Sequence, residues 1–115
     1  MGWGEVEPEP EFDEWYAGLT DEESATVDHY VELLEEEGVL LGEPYTRQLS
    51  GKLREHRFHL GRDQMRVTYY VASGRRIILL TVFRKTKYRE RHEIERAVDA
   101  MNRCVKEGHS AEEEL

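Results

Sequence analysis

Residues 53 to 84 read LREHRFHLGRDQMRVTYYVASGRRIILLTVFR, and this stretch decides the fold because its side chains alternate with a period of two. The alternation predicts three consecutive strands at 53–60, 64–73 and 76–84, broken by the turn signals Gly61-Arg62-Asp63 and Ser73-Gly74. Met65, Val67, Tyr69 and Val71 then share one face of the middle strand, while Arg66, Thr68 and Tyr70 share the other. In the first strand Glu55, Arg57 and His59 alternate with Arg54, His56, Phe58 and Leu60. Phe58 and Leu60 assign the second set to the core, which leaves Arg57 and His59 beside Arg66. The third strand is apolar on both faces from Ile77 to Phe83, as expected at the centre of a sheet or where both faces are covered.

On the N-terminal side the period changes. Phe12, Trp15, Tyr16 and Leu19 fall at the spacing of a short amphipathic helix. Thr20-Asp21-Glu22-Glu23 is a capping box that opens a second helix, whose buried stripe is Val27, Tyr30, Val31 and Leu34 and whose stop is Gly38. A loop through Gly42, Pro44 and Gly51 leads into the strands. Beyond them a helix from about Arg89 to Lys106 carries Ile94, Ala97, Val98, Met101 and Val105 on one stripe, with Cys104 beside it as a small buried hydrophobe. Residues 1–11 form an acidic arm that offers at most a short edge strand around Trp3 to Val6, before Pro8 and Pro10 stop pairing. Residues 12–107 are expected to form one domain, and 108–115 an acidic disordered tail. The expected architecture is α+β: a small antiparallel sheet of three to four strands, two N-terminal helices and one C-terminal helix, with the helices on one face and arginines on the other.

Charge is divided along the chain. Residues 1–46 carry fifteen acids and no Lys or Arg, whereas the sixteen basic residues all lie between Arg47 and Lys106 among only six acids, a local balance of +10. The net charge of −9 therefore conceals a cationic half. Fields act within a Debye length of about 8 Å, so a polyanion approaching that half meets positive charge. With 115 residues and 38% hydrophobic content the chain supports a single core. One cysteine excludes an intramolecular disulfide and a Cys-based zinc site. No apolar run approaches a membrane span and no signal peptide opens the chain, so the expected location is the cytoplasm, away from membranes.

The cationic half contains Arg84-Lys85-Thr86-Lys87-Tyr88-Arg89-Glu90-Arg91-His92, five cations in nine residues with an aromatic among them. At a sheet edge and helix start, such a cluster grips phosphates through guanidinium forks and stacks a base on Tyr88. Taken alone it equally describes a solvated surface, and Arg57 and Arg66 equally describe exposed strand arginines or partners for Glu55. The five histidines show no metal-ligand spacing, and no Ser-His-Asp set, Walker A loop or dinucleotide fingerprint occurs. No metal and no cofactor are expected.

The order of the pieces carries a resemblance. Two N-terminal helices, then Leu53-Arg54-Glu55-His56-Arg57-Phe58, then Arg66-Val67-Thr68-Tyr69-Tyr70, then Ile77 to Phe83 with Arg84-Lys85-Thr86-Lys87, then Glu93-Ile94-Glu95-Arg96-Ala97, together resemble the RelE/HigB family of toxin endoribonucleases over roughly Phe12 to Val105. The resemblance implies the toxin of a type II toxin-antitoxin system that enters the ribosomal A site and cleaves mRNA without a metal. The ribose 2′-hydroxyl would attack the adjacent phosphate, giving a 2′,3′-cyclic phosphate and a 5′-hydroxyl. It further implies that Arg57 and Arg66 hold the scissile phosphate, that Lys85 and Lys87 stand near the attacking or leaving oxygen, and that Tyr88 stacks a base or shares the proton transfer. Lys52, Arg54, His59, Arg84, Arg89 and His92 are the expected further RNA contacts, with His59 and His92 as acid or base candidates because imidazole ordinarily titrates near neutral pH. The implied partner is an antitoxin with a helix-turn-helix domain. The alternative is a non-enzymatic toxin or binding module of the same fold, either a ParE-like gyrase inhibitor or a partner-binding phage remnant.

Overall fold

A computed structural model describes residues 2–88 and 90–107. The chain lays down strand β1 (Glu5–Pro8), helices α1 (Pro10–Ala17) and α2 (Asp21–Glu37), strands β2 (Thr46–Ser50), β3 (Leu53–Leu60), β4 (Asp63–Ala72) and β5 (Arg76–Arg84), and helix α3 (Glu90–Lys106). The strands form one sheet in the order β1-β5-β4-β3-β2. β1 runs parallel to β5, and every other neighbour is antiparallel.

The α+β class holds, but the sheet differs from the expected three to four antiparallel strands: it has five and is mixed. Nor do two helices stand N-terminal to it, because β1 precedes them. Both additional strands are short edges that local composition conceals. β1 is Glu-Val-Glu-Pro, and it is held from outside: the Trp3 and Gly4 amides donate to the Glu35 carbonyl at 2.8 and 3.1 Å, and the Val6 amide to Glu35 Oε2 at 3.2 Å. β2 lies inside the stretch expected as loop. Gly51, at φ +55°, turns the chain back so that Thr46 to Ser50 pairs with β3.

The helices follow their local signals. Thr20 Oγ1 accepts the Glu23 amide at 3.1 Å and Glu23 Oε1 accepts the Thr20 amide at 2.9 Å, completing the capping box that starts α2. At its far end Gly38 sits at φ +50°, and a Cβ there would lie 2.1 Å from Trp3 Cδ2. Backbone conformation and the Trp3 ring both demand glycine.

Both faces of the sheet are covered, which corrects the expectation of helices on one face only. Phe12 of α1 and Val27 and Leu34 of α2 pack with Phe58, Met65, Val67, Tyr69, Ile77 and Leu79. Ala97 and Cys104 of α3 pack with Leu53, Tyr70, Ile78 and Leu80 on the opposite face. The double apolar character of β5 is thereby explained. The acid-rich helices α1 and α2 thus lie behind the face that carries Arg66.

A bulge in β5 fixes the phase of the strand's C-terminal end. The partners of β4 step from Val67↔Val82 to Tyr69↔Leu79, so Leu80 and Thr81 together oppose Thr68. Thr68 Oγ1 accepts the Thr81 amide at 3.1 Å, replacing the interrupted ladder bond. The extra residue inverts the alternation beyond it: Phe83 instead of Val82 comes to stand opposite Arg66, and Arg84 pairs with Met65 on the other face.

Candidate nucleic-acid interface

Arg57 of β3 and Arg66 of β4 are direct cross-strand partners, flanked by the pairs Glu55↔Thr68 and His59↔Gln64. Two guanidiniums placed opposite one another repel unless a counter-charge is supplied. Glu55 supplies it: its Oε2 lies 3.6 Å from the Nε of Arg57 and 3.6 Å from the Nε of Arg66. Arg66 is buried, Glu55 is 1% exposed, and the Arg57 side chain keeps 25% exposure.

The cluster is incompletely bonded. Neither carboxylate oxygen of Glu55 nor the Nε of Arg57 has a hydrogen-bond partner among the described residues. Arg66 donates to the Met65 carbonyl at 3.0 Å and to Gln64 Oε1 at 3.4 Å. Burial pushes the Glu55 carboxyl above its ordinary value, against the pull of Arg66 and Arg57, with Glu90 at the start of α3 adding to the rise. Burial also lowers Arg66, with Glu55 opposing. Among the described residues Arg57 Nε is left a donor without an acceptor, which a phosphate oxygen can supply, whereas the unbonded Glu55 oxygens are acceptors left without donors.

The arginines open onto a cavity of about 270 Å³ at the end of β3 not covered by β2. Arg57, His59, Gln64 and Arg66 line one side, and Tyr30, Pro44, Tyr45 and Phe58 the other. Gln64 also borders a second hollow of about 280 Å³ with Lys85, Thr86 and Lys87. The Lys85 amide donates to the Gln64 carbonyl at 2.8 Å, extending the ladder by one position. Because of the bulge, Lys85 comes after Phe83 on the Arg66 face. Tyr88 is 86% exposed, with Lys87 Nζ 5.8 Å from its ring centroid.

Of the residues selected from sequence, the structure brings together Arg57, Arg66 and His59 around one cavity and places Lys85 and Lys87 at the adjoining hollow. Others lie elsewhere. Arg54 points to the opposite face, donating to Thr46 Oγ1 at 3.0 Å and to the Tyr69 hydroxyl at 3.4 Å. Lys52 occupies the β2–β3 turn, Arg84 pairs with Asp63 at 3.7 Å, and His92 is exposed on α3. Arg89 lies outside the described residues, as does the expected disordered tail at 108–115. Sequence reasoning missed Tyr30, Tyr45 and Gln64 as cavity residues, and it offered Glu55 as an ion-pair partner of the two arginines without placing it in the site. Gln64 had a visible signal, its parity with Arg66, as Glu55 has with Arg57. No group of three or more metal-ligating side chains occurs among the described residues, and no helix there is long and apolar enough to cross a membrane.

A family model described as Phage derived protein Gp49-like (DUF891) matches residues 14–102. The chain belongs to the Gp49-like family. This family is part of the RelE/ParE-like toxin superfamily and is related to toxin-antitoxin systems, consistent with a toxin role and an antitoxin partner. The Gp49-like match spans β2 to β5 and so contains the whole arginine cluster, while β1 falls outside it. A comparison with curated proteins finds no match.

Proposed function

We propose that this Gp49-like protein is a toxin of RelE/HigB type, an endoribonuclease that cleaves mRNA on the ribosome and is neutralised by a helix-turn-helix antitoxin. The observation that carries the proposal is the cross-strand pair Arg57↔Arg66 opening on a cavity, with Lys85 bonded opposite Gln64 beside it. Two cations from adjacent strands and a third just past the end of β5 border adjoining hollows at one end of the sheet. In the proposed reaction the 2′-oxygen forms a bond to phosphorus as the bond to the 5′-oxygen breaks. The 2′-hydroxyl proton passes to a base and the departing 5′-oxygen takes up a proton. Arg57 and Arg66 hold the nonbridging oxygens, and Lys85 faces the charge that develops on the leaving oxygen. His59, on the cavity wall and on the same face of β3 as Arg57 two positions away, is assigned the proton transfer. Lys87 and Tyr88 extend the contact along the segment between β5 and α3.

The test is primer extension on mRNA in a translating extract. Codon-spaced cuts made by the wild type should disappear in Arg57→Ala/Arg66→Ala, each lost donor lowering the rate by about 10² or more. Supercoiling inhibition without cuts would instead identify a ParE-like gyrase inhibitor and reject the nuclease.

A further inference from the structure

Four large apolar side chains stand exposed among the described residues, and they fall into two groups of opposite electrostatic setting. Val39, Leu40 and Tyr45, at 63%, 80% and 42% exposure, make up the first. The turn that displays them is tied down. The Trp3 ring lies against Gly38, the Leu41 amide donates to the Gly38 carbonyl at 3.1 Å, and the Tyr45 and Thr46 amides donate to the Gly42 carbonyl at 3.0 and 3.1 Å. Glu36 and Glu37 precede this patch and Glu43 interrupts it, all three exposed and none in an ion pair among the described residues.

The fourth side chain is Tyr88, 86% exposed between β5 and α3. Its neighbours have the other sign: Lys85, Lys87 and Arg91 are exposed, and none of them pairs with a carboxylate among the described residues. Apolar side chains gathered and fixed at a surface are contact groups. Setting the acid-rimmed patch against its own copy would oppose carboxylates, so the matching contact joins the two unlike groups. Both flank Gln64, which borders the arginine cavity together with Pro44 and Tyr45 and the neighbouring hollow together with Lys85 and Lys87. A twofold axis passing there brings each group of one molecule to the unlike group of a second.

We propose that two copies of this chain associate reciprocally, Tyr88 of each seated on Val39, Leu40 and Tyr45 of the other, so that the pair closes over the arginine cavity. Each molecule carries both the acid-rimmed apolar seat and the cation-rimmed aromatic that fits it, and tyrosine anchors such contacts well because it buries a large ring while its hydroxyl stays wet. The interface itself needs no nuclease. Its consequence, a toxin that shuts its own site until dilution or RNA parts the copies, rests on the nuclease proposal.

The experiment is sedimentation equilibrium of the full chain at concentrations up to about 500 µM, because a contact of this size is micromolar at best. The wild type should pass from monomer to dimer across that range. Val39→Ser/Leu40→Ser and Tyr88→Ser should each weaken dimerisation about tenfold or more, the effect of truncating an interface anchor, with the amide NMR spectrum confirming that each variant is folded. Each variant lacks only one side of the contact. Isotope-labelled Val39→Ser/Leu40→Ser mixed with unlabelled Tyr88→Ser should therefore show amide shifts at residues 84–88 that the labelled variant alone does not show. The proposal is overturned if the wild type stays monomeric, if either variant dimerises like the wild type, or if the mixture leaves that segment unshifted. A dimer that makes no mRNA cuts would sustain the interface and reject the nuclease; cuts by a chain that is monomeric throughout would do the reverse.

Discussion

Two arginine-carboxylate clusters sit on this one sheet, built from the same residue types and finished differently. At the free edge of β5, Glu11 Oε2 accepts the Val82 amide at 2.8 Å and its Oε1 accepts from Arg96. Arg96 also donates to Glu93 at 2.9 Å and to the Val82 carbonyl at 3.3 Å. Each nitrogen of that guanidinium is used, and the Arg96 pKa is raised above its ordinary value, chiefly by the hydrogen bond to Glu11. The bracket joins α1, β5 and α3, and it caps strand groups that β1 does not reach. In the Glu55–Arg57–Arg66 cluster the distances are 3.6 Å, both carboxylate oxygens lack a hydrogen bond among the described residues, and burial penalises the charged forms of Glu55 and Arg66. A satisfied cluster fixes a fold, whereas an unsatisfied one beside a cavity retains capacity for a ligand.

Function should separate the two clusters most strongly. Arg57→Ala/Arg66→Ala should remove cleavage in a translating extract, by about 10² or more per donor, while Arg96→Ala should leave the cleavage rate of folded protein unchanged. Equal losses would erase the distinction. Stability should separate them in the other direction. Glu11→Ala leaves the Val82 amide without its acceptor and should lower the unfolding free energy by about 1 kcal/mol in a urea titration, with Glu55→Gln costing less because burial already penalises the charged form of that carboxyl.

The smallest effects are differences in pH dependence. The folded pKa of Glu55 lies above 4.5, so as pH falls through it the folded state takes up a proton before the unfolded state does, and stability rises. Glu55→Gln should remove that rise from a Tm profile measured between neutral pH and 4.5. His56 behaves oppositely. Burial sets its folded pKa below 6.5, with the Tyr45 and Tyr30 carbonyls opposing, so stability is full above 6.5 and declines as pH falls toward the folded value. His56→Gln should flatten that decline, and neither change should appear in Glu11→Ala.

The parts of the fold legible in sequence were those with local causes. Alternation gave β3, β4 and β5 and placed Arg57 beside Arg66, and the Thr20–Glu23 box gave the start of α2. β1 was visible only as a short edge near Val6, and its parallel partner was not visible at all. The five residues of β2 were hidden by Pro44 and Gly51. Both edges depend on distant neighbours, Glu35 and β5 for one and β3 for the other, and such partners leave no periodic trace.

Charge and period are properties of neighbouring residues, so the chain alone was enough to gather cations on three strands and to keep the acids on the helices before them. Which cations share a site was decided only in three dimensions. Strict alternation would set Arg84 in phase with Ile78 and Leu80, on the Arg66 face; the bulge at Leu80 and Thr81 turns it toward Asp63 and brings Lys85 beside Gln64. One unpaired residue inverts every side chain after it, and its position is set by the Thr68 hydroxyl across the sheet, a contact between residues thirteen positions apart.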